Sequence, residues 1–331
     1  MKLTTPRWWY SREPKGTVVR FLLWPLSGLW TLATARRVAK PGIDPGVPVI
    51  SVGNLTMGGS GKTPVVREVL RLLRDGGVRA HGLSRGHGGS LAGPVQVDPA
   101  THTAAEVGDE PLMLAADGPF WIARDRAAGA RAATAAGAEA LVLDDGHQNP
   151  ALKKSVSLVV VDGDVREGEW PFGDGKVFPA GPMREPLRAG LARADAVALI
   201  LPEGLAADPE LLEQLAGPPV LIARMGPLQP APEGPLVGFA GIAKPWRVER
   251  SLKAAGADLR DFIPFGDHQN FAAAELEFLR GRAADFGARL IITEKDWMRL
   301  PAELRDQVLV WRIGIRFEDE AAVRALLHSG R

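Results

Sequence analysis

Cysteine is absent from the 331 residues, which excludes disulfides and thiolate metal sites and leaves the redox compartment unread. Charge bias is nearly absent too. Forty Lys and Arg stand against 39 Asp and Glu, a net charge of +1, and so weak a balance argues against general nucleic-acid binding. The most apolar stretch, residues 21–35, is interrupted by Pro25, Ser27 and Gly28 and reads as too short to span a bilayer. Internal repeats and low-complexity tracts are missing. What remains is ordinary core material, 46% hydrophobic, enough for one large domain or two modest ones.

The charges that are present are unevenly placed. Residues 1–40 carry Lys2, Arg7, Arg12, Lys15, Arg20, Arg36, Arg37 and Lys40 against Glu13 alone, so the rest of the chain is net acidic. The same segment holds Trp8, Trp9, Trp24 and Trp30, together with the only tyrosine, Tyr10. Basic residues beside interfacial aromatics suit an anionic membrane surface. At helical spacing Arg20, Ser27, Thr31 and Thr34 form one narrow polar stripe, with Phe21, Leu22, Leu23, Leu26, Leu29 and Trp30 covering much of the rest. This predicts a helix lying in the interface. The alternatives are a helix packed on the protein's own core, or a signal peptide ending at Ala33-Thr34-Ala35. A nucleotide loop following so closely speaks against the signal peptide.

From residue 47 onward the pattern alternates. Apolar, β-rich runs are read at 47–52, 78–83, 120–123, 140–143, 158–161 and 196–201, with helical patterns between them, including an alanine-rich one at 126–136. Such alternation predicts an α/β fold with a mostly parallel sheet covered on both faces. A proline-rich stretch at 226–235 marks a boundary, and further runs at 236–240, 289–293 and 308–313 predict a smaller second α/β domain. The expected organisation is therefore an N-terminal membrane-associated segment, 1–40, a core domain, 41–225, and a C-terminal domain, 236–331.

The strongest motif lies at the end of the first run. Thr56-Met57-Gly58-Gly59-Ser60-Gly61-Lys62-Thr63 follows a strand and opens a helix, which is the setting of a P-loop. Glycines let backbone N–H groups turn inward onto phosphate oxygens, and the helix N-terminus adds positive potential. Lys62 reaches the β- and γ-phosphates and the Thr63 hydroxyl binds Mg²⁺, so ATP and Mg²⁺ are the expected ligands. One departure is that Thr56 occupies the place of the usual first glycine. A P-loop NTPase needs a carboxylate for Mg²⁺ at a neighbouring strand end. Asp144-Asp145-Gly146 supplies two candidates, although Asp-Gly is also a common turn.

Taken with the P-loop, the order and spacing of the shorter motifs resemble the tetraacyldisaccharide 4′-kinase family of lipid A synthesis. They are Gly53-Asn54-Leu55-Thr56, Ser84-Arg85-Gly86, Gly108-Asp109-Glu110-Pro111, Asp144-Asp145-Gly146, Pro179-Ala180-Gly181-Pro182-Met183-Arg184-Glu185-Pro186, Gly241-Ile242-Ala243-Lys244-Pro245, Asp267-His268 and Thr293-Glu294-Lys295-Asp296. The resemblance implies an enzyme that moves the ATP γ-phosphate to the 4′-hydroxyl of an acylated glucosamine disaccharide 1-phosphate. It implies a peripheral or monotopic location on the cytoplasmic face of the bacterial inner membrane, with no nucleic acid and no obligate protein partner. It also implies that Asp109 is the base or base-orienting carboxylate, paired with His268, that Glu110 lies near Mg²⁺ or the acceptor, and that Arg184 lies near the phosphates or the substrate. His87 follows Ser84-Arg85-Gly86 where an aromatic residue is usual. His147 and Asn149 stand where the family has phenylalanine and histidine.

Read without the resemblance, several of these residues keep a second role. Asp109 also suits a helix N-cap, and Arg184 and Arg126 are equally phosphate ligands or surface ion-pair partners. Lys295 has no role legible from chemistry. Two other functions stay open, a P-loop kinase for a different membrane-associated hydroxyl and a nucleotide-hydrolysing switch without an acceptor. Thr293-Glu294-Lys295-Asp296 loosely echoes the base-reading motif of a guanine-specific switch.

Overall fold

The computed structural model describes residues 6–11, 17–267, 269 and 271–329. Two sheets organise it. In chain order the strands are β1 (Val49–Asn54), β2 (Ala80–Ser84), β3 (Val95–Gln96), β4 (Phe120–Ile122), β5 (Ala140–Asp144), β6 (Val156–Asp162), β7 (Ala196–Pro202), β8 (Val220–Pro227), β9 (Leu236–Ala240), β10 (Leu259–Pro264), β11 (Arg289–Thr293), β12 (Val308–Trp311) and β13 (Ile313–Phe317). Nine of them form a sheet in the order β13-β8-β7-β6-β1-β5-β2-β4-β3, and four form a second in the order β10-β9-β11-β12. The large sheet is parallel except at its edges, where β3 runs against β4 and β13 against β8. The small sheet is parallel throughout.

The central strands β1, β5, β6 and β7 are almost wholly buried, as near-continuous apolar runs must be when helices cover both faces. The helix after the P-loop, Lys62–Asp75, buries Val65, Val66, Val69, Leu70, Leu72 and Leu73 against one face. Each such side chain removed from water contributes about 1.5–3 kcal/mol. On the other face Leu55, Val159, Trp170 and Met183 form a second core. The small sheet has its own, built on Phe239, Phe271, Leu279 and Ile292.

The segment 308–313, expected as one strand of the second domain, is two strands. The chain leaves the small sheet after Trp311, and β13 then pairs with β8 of the large sheet, Ile315 opposite Met225. Ile315 and Phe317, with Val323 and Leu327 of the last helix, join the core around the P-loop helix. Residues 313–329 therefore belong with the large sheet and not with the C-terminal unit in which they were expected. Two forces act together: β13 satisfies the backbone groups along the edge of β8, and Ile315 and Phe317 are buried in the core beneath.

The N-terminal helix also differs from expectation. It runs unbroken from Thr17 to Val38 with Pro25 inside it, and Val18–Val38 is long and apolar enough, by length and composition, to cross a membrane. The polar stripe faces the protein. Arg20 is 3% exposed and pairs with Asp174, and Ser27 Oγ donates to Val177 O at 2.8 Å. Trp30 Nε1 donates to Arg184 O at 2.9 Å. The apolar face points outward, with Phe21 74% and Leu22 69% exposed. Of the basic residues in the first segment, Lys2, Arg12 and Lys15 lie outside the described residues.

Candidate active site

The P-loop is held from three sides. Asn54, at the end of β1, donates from Nδ2 to Thr56 O at 2.8 Å. Thr56 forms an antiparallel bridge with Met183, and Met57 N donates to Pro182 O at 2.8 Å. The Tyr10 hydroxyl donates to Met57 O, and burial pushes that phenol up to about 12. These ties account for the missing first glycine: Thr56 sits in extended, paired backbone, where no positive φ is needed. Gly58 and Gly61 do adopt positive φ, 86° and 74°, and a Cβ on Gly61 would lie 2.6 Å from Ile200 Cδ1. Gly61 caps the helix without any side-chain hydrogen bond, so its first amides are free to receive an anion. Lys62 and Thr63 open that helix. Lys62 Nζ lies 3.2 Å from Asn54 Oδ1 and 3.5 Å from Asp145 Oδ1.

Beside the loop, Asp144 ends β5 in register with Val52 of β1. The two aspartates have opposite environments. Burial, with added repulsion from Glu110 and Asp145, pushes the Asp144 carboxyl up to about 7, against the pull of Lys62 and Arg126. Its Oδ1 is buried without a partner. Asp145, at φ 57°, accepts from Arg184 Nη1 at 2.7 Å. Burial raises its carboxyl, but Lys62 and Arg184 outweigh this and hold it at about 2. Arg184 Nε also donates to Thr56 O at 2.9 Å, so this arginine ties the aspartate to the loop. Arg126 is buried, donates to Ala123 O at 2.8 Å, and is lowered to about 10 by burial despite Asp144 and Asp145.

Residues around this point fit a nucleotide and Mg²⁺. Asp144 Oδ1 and Ser60 Oγ are both buried and unpartnered, and a buried carboxylate that neighbouring acids push toward protonation is one a divalent cation would stabilise. Among the described residues no three His, Asp or Glu converge on a metal cage. Mg²⁺ keeps waters and takes phosphate oxygens as ligands, so one or two protein oxygens would suffice to hold it.

Asp109 and Glu110 open the short helix Asp109–Ala115. Gly108, at φ 93°, is its N-cap, so Asp109 is the first helical residue and not the cap. Asp109 Oδ1 accepts from Glu110 N at 3.0 Å; its Oδ2 lies 3.5 Å from Arg299 Nε and 3.9 Å from Lys295 Nζ. Glu110 Oε1 accepts from Lys295 Nζ at 2.8 Å. Burial raises the Glu110 carboxyl, but Lys295, aided by Lys62, brings it below its ordinary value.

The second sheet thus supplies partners that the sequence did not reveal. Thr293 caps the helix Glu294–Trp297. Asp296 is fully buried and accepts from Thr293 Oγ1 at 2.6 Å, Gly241 N at 3.1 Å and Arg299 Nη2 at 2.8 Å. An aspartate so enclosed cannot read a guanine base. Glu294 takes two hydrogen bonds from Arg67 of the P-loop helix, 2.6 and 3.1 Å. A second set of contacts joins Lys244 Nζ to Asp162 Oδ2 at 2.8 Å, with Arg247 also on Asp162 and Arg250 on Asp164.

Between the sheets opens a cleft of about 1690 Å³, lined by Thr56, Gly58, Gly59, Ser60 and Asp109 on one side and by 242–246, Asp267 and Arg299 on the other. His87 lines it too. His268 lies outside the described residues. His147 does not reach the cleft. It is buried between Ser157 Oγ and Gly190 O, each at 3.0 Å, and burial, with Arg193 adding, lowers it to about 4. Asn149 closes a turn by accepting from Ala151 N at 2.8 Å.

A family model described as tetraacyldisaccharide-1-P 4′-kinase matches residues 19–330. The chain is 62% identical over 330 residues to a tetraacyldisaccharide 4′-kinase of Phenylobacterium zucineum, covering 99% of each. It is 52% identical over 335 residues to one of Rhodospirillum centenum, covering 98% of this chain and 96% of that protein. Among solved structures, LpxK from Aquifex aeolicus in complex with ATP matches at TM-score 0.74 and 25% identity, over 94% of this chain and 99% of that one.

Proposed function

This chain belongs to the tetraacyldisaccharide-1-P 4′-kinase family, and from that membership we propose how its residues divide the work of the reaction. It is an ATP-dependent kinase of lipid A biosynthesis, acting on the 4′-hydroxyl of the acylated disaccharide 1-phosphate. The fold is the mostly parallel α/β architecture of the Aquifex LpxK.

Lys62 and the amides of Gly58–Gly61 hold the nucleotide phosphates, and the Thr63 hydroxyl with Asp144 holds Mg²⁺. Held there, Mg²⁺ would supply positive charge against the negative charge that develops during phosphoryl transfer. The pair of buried, unpartnered oxygens on Asp144 and Ser60 beside Lys62 carries this reading. Asp145 serves as the counter-charge that aligns Lys62 and Arg184. Asp109, at the cleft and anchored by Arg299, takes or orients acceptance of the 4′-hydroxyl proton together with His268. Arg184 lies close enough to the loop to meet phosphate. Arg126, enclosed behind Asp144 and Asp145, acts through those carboxylates. Glu110, held by Lys295, would stand near Mg²⁺ or the acceptor.

The large sheet with 313–329 forms the nucleotide lobe and the small sheet a second lobe. The outward apolar face of the N-terminal helix rests on the cytoplasmic face of the inner membrane, peripheral or monotopic, with Arg36, Arg37 and Lys40 near anionic headgroups. Incubating the pure protein with labelled ATP, Mg²⁺ and the acylated disaccharide 1-phosphate in detergent tests the assignment. The labelled bisphosphate lipid is expected from the wild type and not from Asp109→Asn. Full turnover by both Asp109→Asn and Lys62→Ala would overturn it.

A further inference from the structure

Asp109 and Glu110 are adjacent acids on one short helix, and the charge of Glu110 is felt by Asp144. Left alone, these neighbouring carboxylates repel one another and have nothing to fix their positions. The cations that meet the first two come from the other sheet. Lys295 Nζ is 2.8 Å from Glu110 Oε1 and 3.9 Å from Asp109 Oδ2, and Arg299 Nε is 3.5 Å from Asp109 Oδ2. The residue just before Lys295, Glu294, is itself pinned by both Arg67 bonds to the P-loop helix. Two neighbouring residues of one short helix therefore grip the helix that carries the phosphate lysine and the helix that carries the acids. Arg299, by bonding both Asp296 and Gly241 O, keeps that short helix fixed on its own sheet.

We propose that Lys295 is a positioning residue for phosphoryl transfer, holding the Asp109–Glu110 pair in place from the second lobe, with the Arg67–Glu294 pair setting where Lys295 stands. The inference rests on the kinase reading above. A salt bridge that merely joined two lobes would add stability and leave the chemistry alone, whereas a positioning cation changes turnover at constant nucleotide affinity.

The test uses the full chain in detergent with ATP, Mg²⁺ and the lipid acceptor. Lys295→Met is expected to lower kcat ~10²-fold, the scale of a small misplacement of reacting groups, while the KM for ATP stays near wild type and the melting temperature falls as one carboxylate loses its partner. Lys295→Arg is expected to recover much of the loss, because a guanidinium can span both carboxylates. The charge swap Arg67→Glu with Glu294→Arg is expected to exceed Arg67→Glu alone in kcat. Retention of more than half of kcat by Lys295→Met would overturn the proposal. So would parallel loss of kcat, ATP affinity and melting temperature without recovery in Lys295→Arg. Should Lys295→Met not fold, Lys295→Arg and the charge swap decide: swap and single variant with equal kcat would refute it. An active Lys295→Met beside an inactive Asp109→Asn removes this inference alone and leaves the kinase reading standing.

Discussion

The two walls of the cleft carry opposite charge. The large sheet presents acids, namely Asp109 and Glu110 and, at the ends of β5 and β6, Asp144, Asp145 and Asp162, with Asp164 close behind. The small sheet answers with Lys244, Arg247, Arg250, Lys295 and Arg299. Arg67–Glu294 runs the other way. A net charge of +1 hides this separation entirely. The lesson is that Asp144 and Asp145 find their cations, Lys62, Arg126 and Arg184, within the nucleotide wall, while Asp109, Glu110, Asp162 and Asp164 are balanced from the other lobe.

The largest effect is expected at the phosphate loop itself. Lys62→Ala removes the cation that opens the helix behind the phosphate loop, leaving Arg184 beside that loop, and kinase turnover in the lipid assay should fall ~10³-fold. A small effect would mean that Arg184 and cations of the second lobe suffice at the phosphates. Next in size is the second cross-cleft cluster. Asp162 is buried between Lys244 and Arg247, so Asp162→Ala strands two cations in a half-buried site. Chemical denaturation should show a loss of about 3 kcal/mol, since breaking a buried pair from one side leaves uncompensated charge.

A smaller effect concerns a surface outside the cleft, where neither wall contributes. Phe21→Ser with Leu29→Ser should weaken sedimentation with anionic vesicles by about tenfold, as expected when apolar contact area is lost, without shifting the melting temperature, because both side chains are exposed. Equal binding by wild type and variant would show that basic residues alone hold the protein to the vesicle.

The mildest effect concerns a buried ring within the large-sheet lobe. His147 is lowered from 6.5 to about 4 by burial. The unfolded chain therefore takes up a proton first as pH falls, so the stability contributed by the neutral ring is full above 6.5 and is lost progressively down to about 4. Thermal melts of His147→Gln should be flatter than wild type across that window. Equal slopes would place the acid sensitivity elsewhere.

Much of this was legible beforehand where chemistry is local. The strand-loop-helix setting of Lys62 and Thr63, the two acids after an apolar strand, and the alternation of runs each depend on a few neighbouring residues. Thr56 in place of glycine became intelligible only through its bridge to Met183. The break after Trp311 left no trace, because 308–315 carries no proline or charged cluster to punctuate it, and only the free edge at β8 explains the switch. Lys295 stood in a recognisable motif yet without a role, since nothing near it in sequence shows what it touches.

By itself, then, the sequence determined the elements that short-range sterics and periodicity control: glycines where φ must be positive, buried strands where apolar runs persist, a helix where the polar stripe repeats. It did not determine which way that stripe turns or which carboxylate meets which cation. Lys295 and Glu110 are 185 residues apart, and Arg67 and Glu294 are 227 apart. Pairs at such separation arise only when packing brings helices of the two lobes together, because no local preference of either residue encodes the other's position.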